Sequence, residues 1–570
     1  MRKTISLLLA LAVTALEASA QTVFTRADTL RGTNSPARSW WDVTFYDLRV
    51  SVNPGDSTIR GSNGITYRVV RPGTEMQIDL QPPLVVDSMV QDGQRLTFRR
   101  DSIRPPSGRG GGRGNAGVAV DTALRAGNAF FVTLPAAPRR GEIKTVTVFY
   151  RGRPRVAVNP PWDGGFGWGT DSLGRPFFST SNQGLGASVW WPNKDYSGEE
   201  PDSQRIAITV PDPLMNVSNG RLRSTTKNAD GTTTWEWFVK NPINNYGIAV
   251  NAGMYGHFSD TLHGERGVLS LDFYPLSYHV DTARAQFRQV KPVLRCFEKW
   301  FGPYPWYEDG FKLVETGHLG MEHQSAVAYG NRYLNGYRGR DLSGTGLGLT
   351  WDFIIVHEVA HEWWANNVTA TDDADMWIHE SFGNYAEGIY QECLTNKEDG
   401  ARYIIGSRQN IRNEAPIVGT FGVSASGSGD MYYKGGSMLH MIRQIINDDA
   451  KWRSILRGLN RELGRRTVSG REVQQFINTR SGYDFDKVFT QYLMTTRIPN
   501  LEYDVQGSVL WYRWSNVVPG FDMPVRARVA AGRETLLRPT ETWKSIRISV
   551  PASEFRVDED FYVRPVRVNK

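Results

Sequence analysis

Phe353-Ile354-Ile355-Val356-His357-Glu358-Val359-Ala360-His361-Glu362-Trp363-Trp364 is the stretch on which the reading of this chain turns. Phe353, Val356, Ala360 and Trp364 recur at helical spacing, so the segment is predicted to be a helix with an apolar stripe. On that helix His357 and His361 lie one turn apart on one face. Two imidazoles so placed can bind one metal ion, and Glu358 between them can reach a water at that ion. Histidine is scarce, with 9 in 570 residues. Chance would put this pattern in about one such chain in a hundred.

A third ligand follows. Glu380 lies eighteen intervening residues beyond His361, on the next predicted helix. The apolar stripe of that helix, Ile378, Phe382, Tyr385 and Ile389, leaves Glu380, Asn384 and Glu387 together on another face. Alone, Glu380 would read as an exposed helix glutamate. With the two histidines upstream it completes a His, His, Glu set that leaves a fourth position to water, the pattern of one catalytic zinc ion per chain. Zinc lowers the pKa of water to about 7 and polarises a carbonyl, and Glu358 suits the role of general base. The oxyanion of amide hydrolysis needs a further donor. A tyrosine hydroxyl qualifies, and spacing does not choose among the 23 tyrosines.

Outward from this centre the pattern changes twice. Before it, Leu48, Val50 and Val52 alternate with polar neighbours, and similar short runs recur at 146–150, 206–210 and 232–239, separated by turns such as Asn53-Pro54-Gly55. From about Tyr278 helical spacing takes over, as at Met438, Ile442 and Ile445. After Asn500 strands return, with Val525, Ala527 and Val529 alternating with arginines. The expected fold is therefore α+β and multidomain: a signal peptide (1–20), an N-terminal β domain (21–259), a mostly helical catalytic domain (260–499) and a small C-terminal β domain (500–570). No internal repeat is visible. Residues 104–117, rich in Gly, Arg, Pro and Ser, read as a mobile loop. A phosphate cradle would need a Lys-Ser/Thr ending and a strand-to-helix setting, and both are missing.

Composition agrees with a soluble globular protein: 40% hydrophobic and 22% charged residues, and a formal charge of +7. No basic helix or basic-aromatic stripe is present, so no nucleic-acid partner is expected. Arg2 and Lys3, an apolar run over 5–16 and Ala18-Ser19-Ala20 have the form of a cleavable leader. That run is too short to span a bilayer, which takes about 20 apolar residues, and no later segment does better. The expected location is the periplasm or the medium, with no integral membrane segment. Cys296 and Cys393 are the two cysteines. An oxidising compartment permits a bridge between them, and two buried thiols fit the sequence as well.

Several segments around the motif resemble the gluzincin aminopeptidases, the M-one metallopeptidase family of membrane alanyl aminopeptidase and leukotriene hydrolase. The histidine pair with its glutamate has the family's spacing. Gly320-Met321-Glu322-His323 lies where the family has Gly-x-Met-Glu-Asn, and Tyr432-Tyr433-Lys434-Gly435 resembles its Tyr-Glu-Lys-Gly. Trp191-Pro192-Asn193-Lys194-Asp195 and Asn241-Pro242-Ile243-Asn244-Asn245-Tyr246 resemble parts of its β domain. The resemblance, from about Trp41 to about Asn500, implies a saddle-like N-terminal sheet and a thermolysin-like catalytic domain. It implies that Glu322 binds the substrate α-amine, that backbone at Gly320 and Met321 pairs with the substrate, that Gln183 lines the same pocket and that Tyr432 stabilises the oxyanion. An α-amine with pKa near 8 is mostly protonated at neutral pH, so a carboxylate within reach selects for it. Leu319, His323, His379 and Ser381 depart from the family pattern.

The expected activity is thus that of a zinc aminopeptidase acting on peptides with a free N-terminus. The alternatives are a zinc endopeptidase and an inactive peptide-binding protein. Nothing in the sequence asks for a lipid-epoxide activity. The large helical C-terminal domain of many relatives has no room here, so a wider access to the site is expected, or a homodimer that covers it.

Overall fold

The computed structural model describes residues 24–103 and 125–570. The leader expected at 1–20 and the loop expected at 104–117 lie outside the described residues.

The alternation at Leu48, Val50 and Val52 is that of a strand, Trp41–Asn53, with one face buried. It is central in an eight-stranded sheet. On one side it pairs antiparallel with Thr58–Val69, and on the other it pairs parallel with Ser203–Pro211, setting Leu48 against Ile206 and Val50 against Ile208. Its buried face, which begins with Trp41, shares a core with Trp190, Trp191 and Trp237. A smaller four-stranded sheet contains Phe178–Ser181, and the chain leaving that strand carries Gln183. Before the large sheet, a short helix (Arg26–Gly32), capped at Thr25, lies against the turn after this strand: Arg31 Nη2 donates to Gly184 O at 3.3 Å.

The catalytic region contains a five-stranded sheet, in the order Phe258–Gly264, Gly267–Tyr274, Phe311–Glu315, Val327–Tyr329, Gly320–Met321. Periodicity did not foresee it. Phe311–Glu315 and Val327–Tyr329 are buried at every residue, so no polar alternation marks them. The expected boundary at 259/260 runs through the strand Phe258–Gly264, which belongs to this sheet. Gly320–Met321 is its edge strand, antiparallel to Val327–Tyr329. The helices Val290–Phe301 and Phe353–Ala360 pack on the sheet, Trp377–Leu394 packs on both of them, and Tyr433–Ile446 packs on Trp377–Leu394. All eight residues of Phe353–Ala360 are buried, which is why its apolar stripe blurs into a continuous run. Cys296 and Cys393 form a disulfide with Cα atoms 6.1 Å apart, tying Val290–Phe301 to the end of Trp377–Leu394.

Two small sheets, of four and three strands, form the C-terminal region. Their apolar side is continuous with the catalytic core. Tyr492 donates to Tyr562 O at 2.7 Å, and His440 Nε2 meets Asp560 Oδ1 at 2.8 Å. The terminal strands thus brace the helices behind the site. Among the described residues no helix is long and apolar enough to cross a membrane.

Candidate active site

The helix carrying the two histidines starts at Asp352, whose carboxylate accepts from the amides of Ile354 and Ile355 at 3.1 and 3.3 Å. Asp352 is itself held by Tyr329 Oη at 2.7 Å and Asn331 Nδ2 at 2.8 Å, so the sheet fixes where the helix begins. The helix ends at Ala360. His361 takes the C-cap position and keeps helical backbone angles, φ −67° and ψ −14°. The two imidazoles stay one turn apart with Nε2 atoms separated by 3.3 Å.

Their outer nitrogens have partners. His361 Nδ1 lies 2.7 Å from Trp364 O, and His357 Nδ1 lies 2.9 Å from Glu387 Oε1. A carbonyl and a carboxylate only accept, so both Nδ1 atoms carry hydrogen and both Nε2 atoms present lone pairs to one point. Glu380 Oε2 faces that point, 3.6 Å from His357 Nε2 and 3.4 Å from His361 Nε2. This oxygen is buried and has no hydrogen-bond partner. Two lone pairs and an unpartnered carboxylate oxygen converging in a buried site call for a cation, and His, His, Glu is the donor set zinc takes in catalytic sites. A proton competes for the same atoms: burial lowers the pKa of His361 and the Glu380 carboxylate raises it, on balance to about 9.

Glu358 lies beside this set, 7% exposed. Burial pushes its carboxyl up to about 7, His357 opposing and Glu322 adding to the rise. A Cβ on Gly320 would stand 2.6 Å from Glu358 Oε1. A side chain at 320 would displace the Glu358 carboxylate, so glycine lets the edge strand pass close to it. Tyr432 packs tilted against His357, ring centroids 5.9 Å apart. Burial, then the negative charge of Glu380, keeps its phenol protonated and so able to donate. The turn holding it is fixed from the third-ligand helix, since Ser381 Oγ donates to Met431 O at 2.7 Å.

Glu322 is almost fully buried. Its Oε1 accepts from Gln183 Nε2 at 2.5 Å and from Tyr246 Oη at 3.0 Å, so two residues of the β domain aim one carboxylate of the catalytic domain. Burial raises its pKa, while His361 opposes the rise. His357, Glu358, His361, Glu380, Gly320, Met321, Glu322, Tyr432 and Gln183 all line one cleft of about 870 Å³.

Two of the departures from the family pattern, His379 and Ser381, make structural hydrogen bonds. His379 Nε2 accepts from Ala370 N at 2.9 Å and, with burial holding its pKa down at about 4, stays neutral. His323 does not line the cleft; it is fully buried, with its ring 6.5 Å from that of His318. The residues that sequence reasoning missed are Glu387, Tyr246 and the carbonyl of Trp364. Glu387 carried a signal, since it shares a helix face with Glu380; the others are brought in by tertiary folding.

Residues 286–492 match the peptidase family M1 domain. Human aminopeptidase B is 23% identical over 545 residues, covering 89% of this chain and 74% of that protein. Probable aminopeptidase 1 of Sulfurisphaera tokodaii is 22% identical over 276 residues, 45% of this chain. The chain spans about a third of the length of that relative, 34%. Among solved structures, an M1 zinc metallopeptidase mutant from Deinococcus radiodurans bound to a Tyr-Ser-Ala substrate superposes with a TM-score of 0.63 at 20% identity, covering 82% of this chain and 97% of that one. The unmutated enzyme gives 0.63 as well. Residues 286–492, which hold the converging His, His, Glu set, therefore match a peptidase family M1 domain, in a chain whose fold is shared with M1 zinc metallopeptidases.

Proposed function

We propose that this protein is a zinc aminopeptidase that removes the N-terminal residue of peptides. The observation that carries the reading is Glu322: a buried carboxylate, aimed by Gln183 and Tyr246, in the same cleft as the metal-binding set. His357, His361 and Glu380 would hold the zinc, which supplies a Lewis acid that makes water nucleophilic near neutral pH. The remaining work belongs to the chain. Glu322 pairs with the substrate α-ammonium and so sets the scissile bond one residue from the chain end. Backbone of the edge strand Gly320–Met321 is free on one side to pair with the substrate main chain. Glu358 takes a proton from the attacking water and delivers it to the leaving amine. The Tyr432 hydroxyl donates to the oxyanion as it develops.

We further propose that the protein works outside the cytoplasm. The leader-like start and the Cys296–Cys393 bridge support this, because such bridges persist in oxidising compartments.

An aminoacyl reporter assayed beside its N-acetylated twin, with and without chelator, tests the activity. Cleavage of the free-amine form alone, lost on chelation, is expected. Equal cleavage of both would make the protein an endopeptidase. Glu358→Gln should bind zinc and lose turnover. If wild type binds zinc but hydrolyses no peptide, the enzyme reading fails.

A further inference from the structure

Among the described residues, Gln183 lines a small cavity as well as the cleft. The small cavity, of about 40 Å³, is lined by polar groups that include Asp195, Glu199, Asp373 and His379. It has room for a water molecule or two and none for an amino-acid side chain. The cleft itself is of about 870 Å³, and its wall beyond Gln183 includes Trp162.

Trp162 is 57% exposed, unusual for a residue that buries so well. Its place along the cleft follows from its neighbours. A Cβ on Gly184 would lie 3.0 Å from Trp162 O, and Gly184 directly follows Gln183, which bonds the amine-binding carboxylate. Trp162 thus stands at the amine end of the cleft. The loop that presents it is tied down. Trp162 N donates to Asn159 O at 3.0 Å. The Asp163 carboxylate accepts from Val158 N at 2.6 Å and Asn159 N at 2.9 Å. Ser181, on the strand that leads to Gln183, donates to Asp163 O at 3.3 Å. A loop with this many anchors holds the backbone of Trp162 in place before anything binds, which reduces the entropy lost on binding.

Resting on the aminopeptidase reading, we propose that Trp162 forms a wall of the subsite for the substrate's N-terminal side chain and favours large apolar side chains, aromatic ones above all. With the small cavity closed to it, that side chain leaves the α-carbon toward the cleft, whose wall there includes Trp162. Val156 and Val158, exposed on the same loop, do not line the cleft; a protein partner would use them together with Trp162, whereas a substrate uses Trp162 alone.

The test is kcat/KM for Ala, Leu and Phe aminoacyl reporters on wild type, Trp162→Ala and Trp162→Phe. Wild type should prefer Phe and Leu over Ala. Trp162→Ala should lose about tenfold on Phe and Leu relative to Ala, and Trp162→Phe should restore most of the preference. A uniform change across the three reporters overturns the proposal and leaves the aminopeptidase reading standing. So does an unchanged panel accompanied by a shift in sedimentation, which would assign the loop to a partner. A wild type that cleaves none of the reporters removes both.

Discussion

Replacing Glu387 by glutamine should weaken zinc binding by tenfold to a hundredfold while leaving the three ligands in place. Glu387 does not reach the metal position. Its carboxylate accepts from His357 Nδ1 at 2.9 Å, from Tyr403 Oη at 2.8 Å and from Asn384 Nδ2 at 3.1 Å. It therefore fixes the tautomer and the ring plane of His357 and raises the basicity of Nε2. Glutamine has the same length and keeps one acceptor oxygen for Nδ1–H. It removes the charge, and its NH₂ group meets the donors of Tyr403 and Asn384. Losses of this outer kind typically cost 10- to 100-fold in metal affinity, or about 1.4–2.7 kcal/mol. Tyr403→Phe, which deletes a single neutral donor, should cost at most about tenfold. The assay is competition for zinc against a chromophoric chelator, with turnover measured at saturating zinc, where Glu387→Gln should recover most of its activity. A Kd within twofold of wild type would refute the reasoning and mean that helix packing alone orients His357.

Glu322→Ala should lower kcat/KM on free-amine reporters by about 10- to 100-fold, the range of a lost charge-assisted contact, with zinc content unchanged; unaltered kinetics would remove its amine-binding role. Tyr432→Phe should lower kcat by about 10²–10³-fold without changing zinc affinity, and full turnover would send the search to another donor. Gly320→Ala puts a methyl 2.6 Å from Glu358 Oε1, so it should reduce kcat and spare zinc binding in the same chelator titration. A fully active Gly320→Ala variant would show that Glu358 has room to move.

What was legible in the sequence followed from periodicity. The helix repeat set His357 over His361, and the apolar stripe of the next helix left Glu380 on the free face. The N-terminal sheet was legible because its strands are half-exposed and alternate. In the catalytic sheet Phe311–Glu315 and Val327–Tyr329 were not, because strands buried on both faces lose the alternation that identifies them, whereas Gly267–Tyr274 does alternate, at Leu269, Leu271 and Phe273. Tyr246 and Gln183 reach Glu322 from positions 76 and 139 residues away, contacts that no local pattern encodes. The resemblance to a family placed Gln183 beside the amine and was silent on Tyr246. The structural use of His379 and the buried place of His323 depend on tertiary packing, which a single sequence does not display.

The bridge between Cys296 and Cys393 closes a ring of chain across 97 positions, and Glu322, His357, Glu358, His361 and Glu380 all lie inside it. When the protein unfolds with the bridge intact, these groups remain within one covalent circle. A ring of that size disfavours the unfolded chain by about 4–5 kcal/mol in the chain-entropy account, and it keeps the three zinc ligands at raised mutual concentration. Metal capture during refolding therefore starts from a gathered set of donors. A single peptide-bond cut inside the ring leaves the two halves of the centre joined.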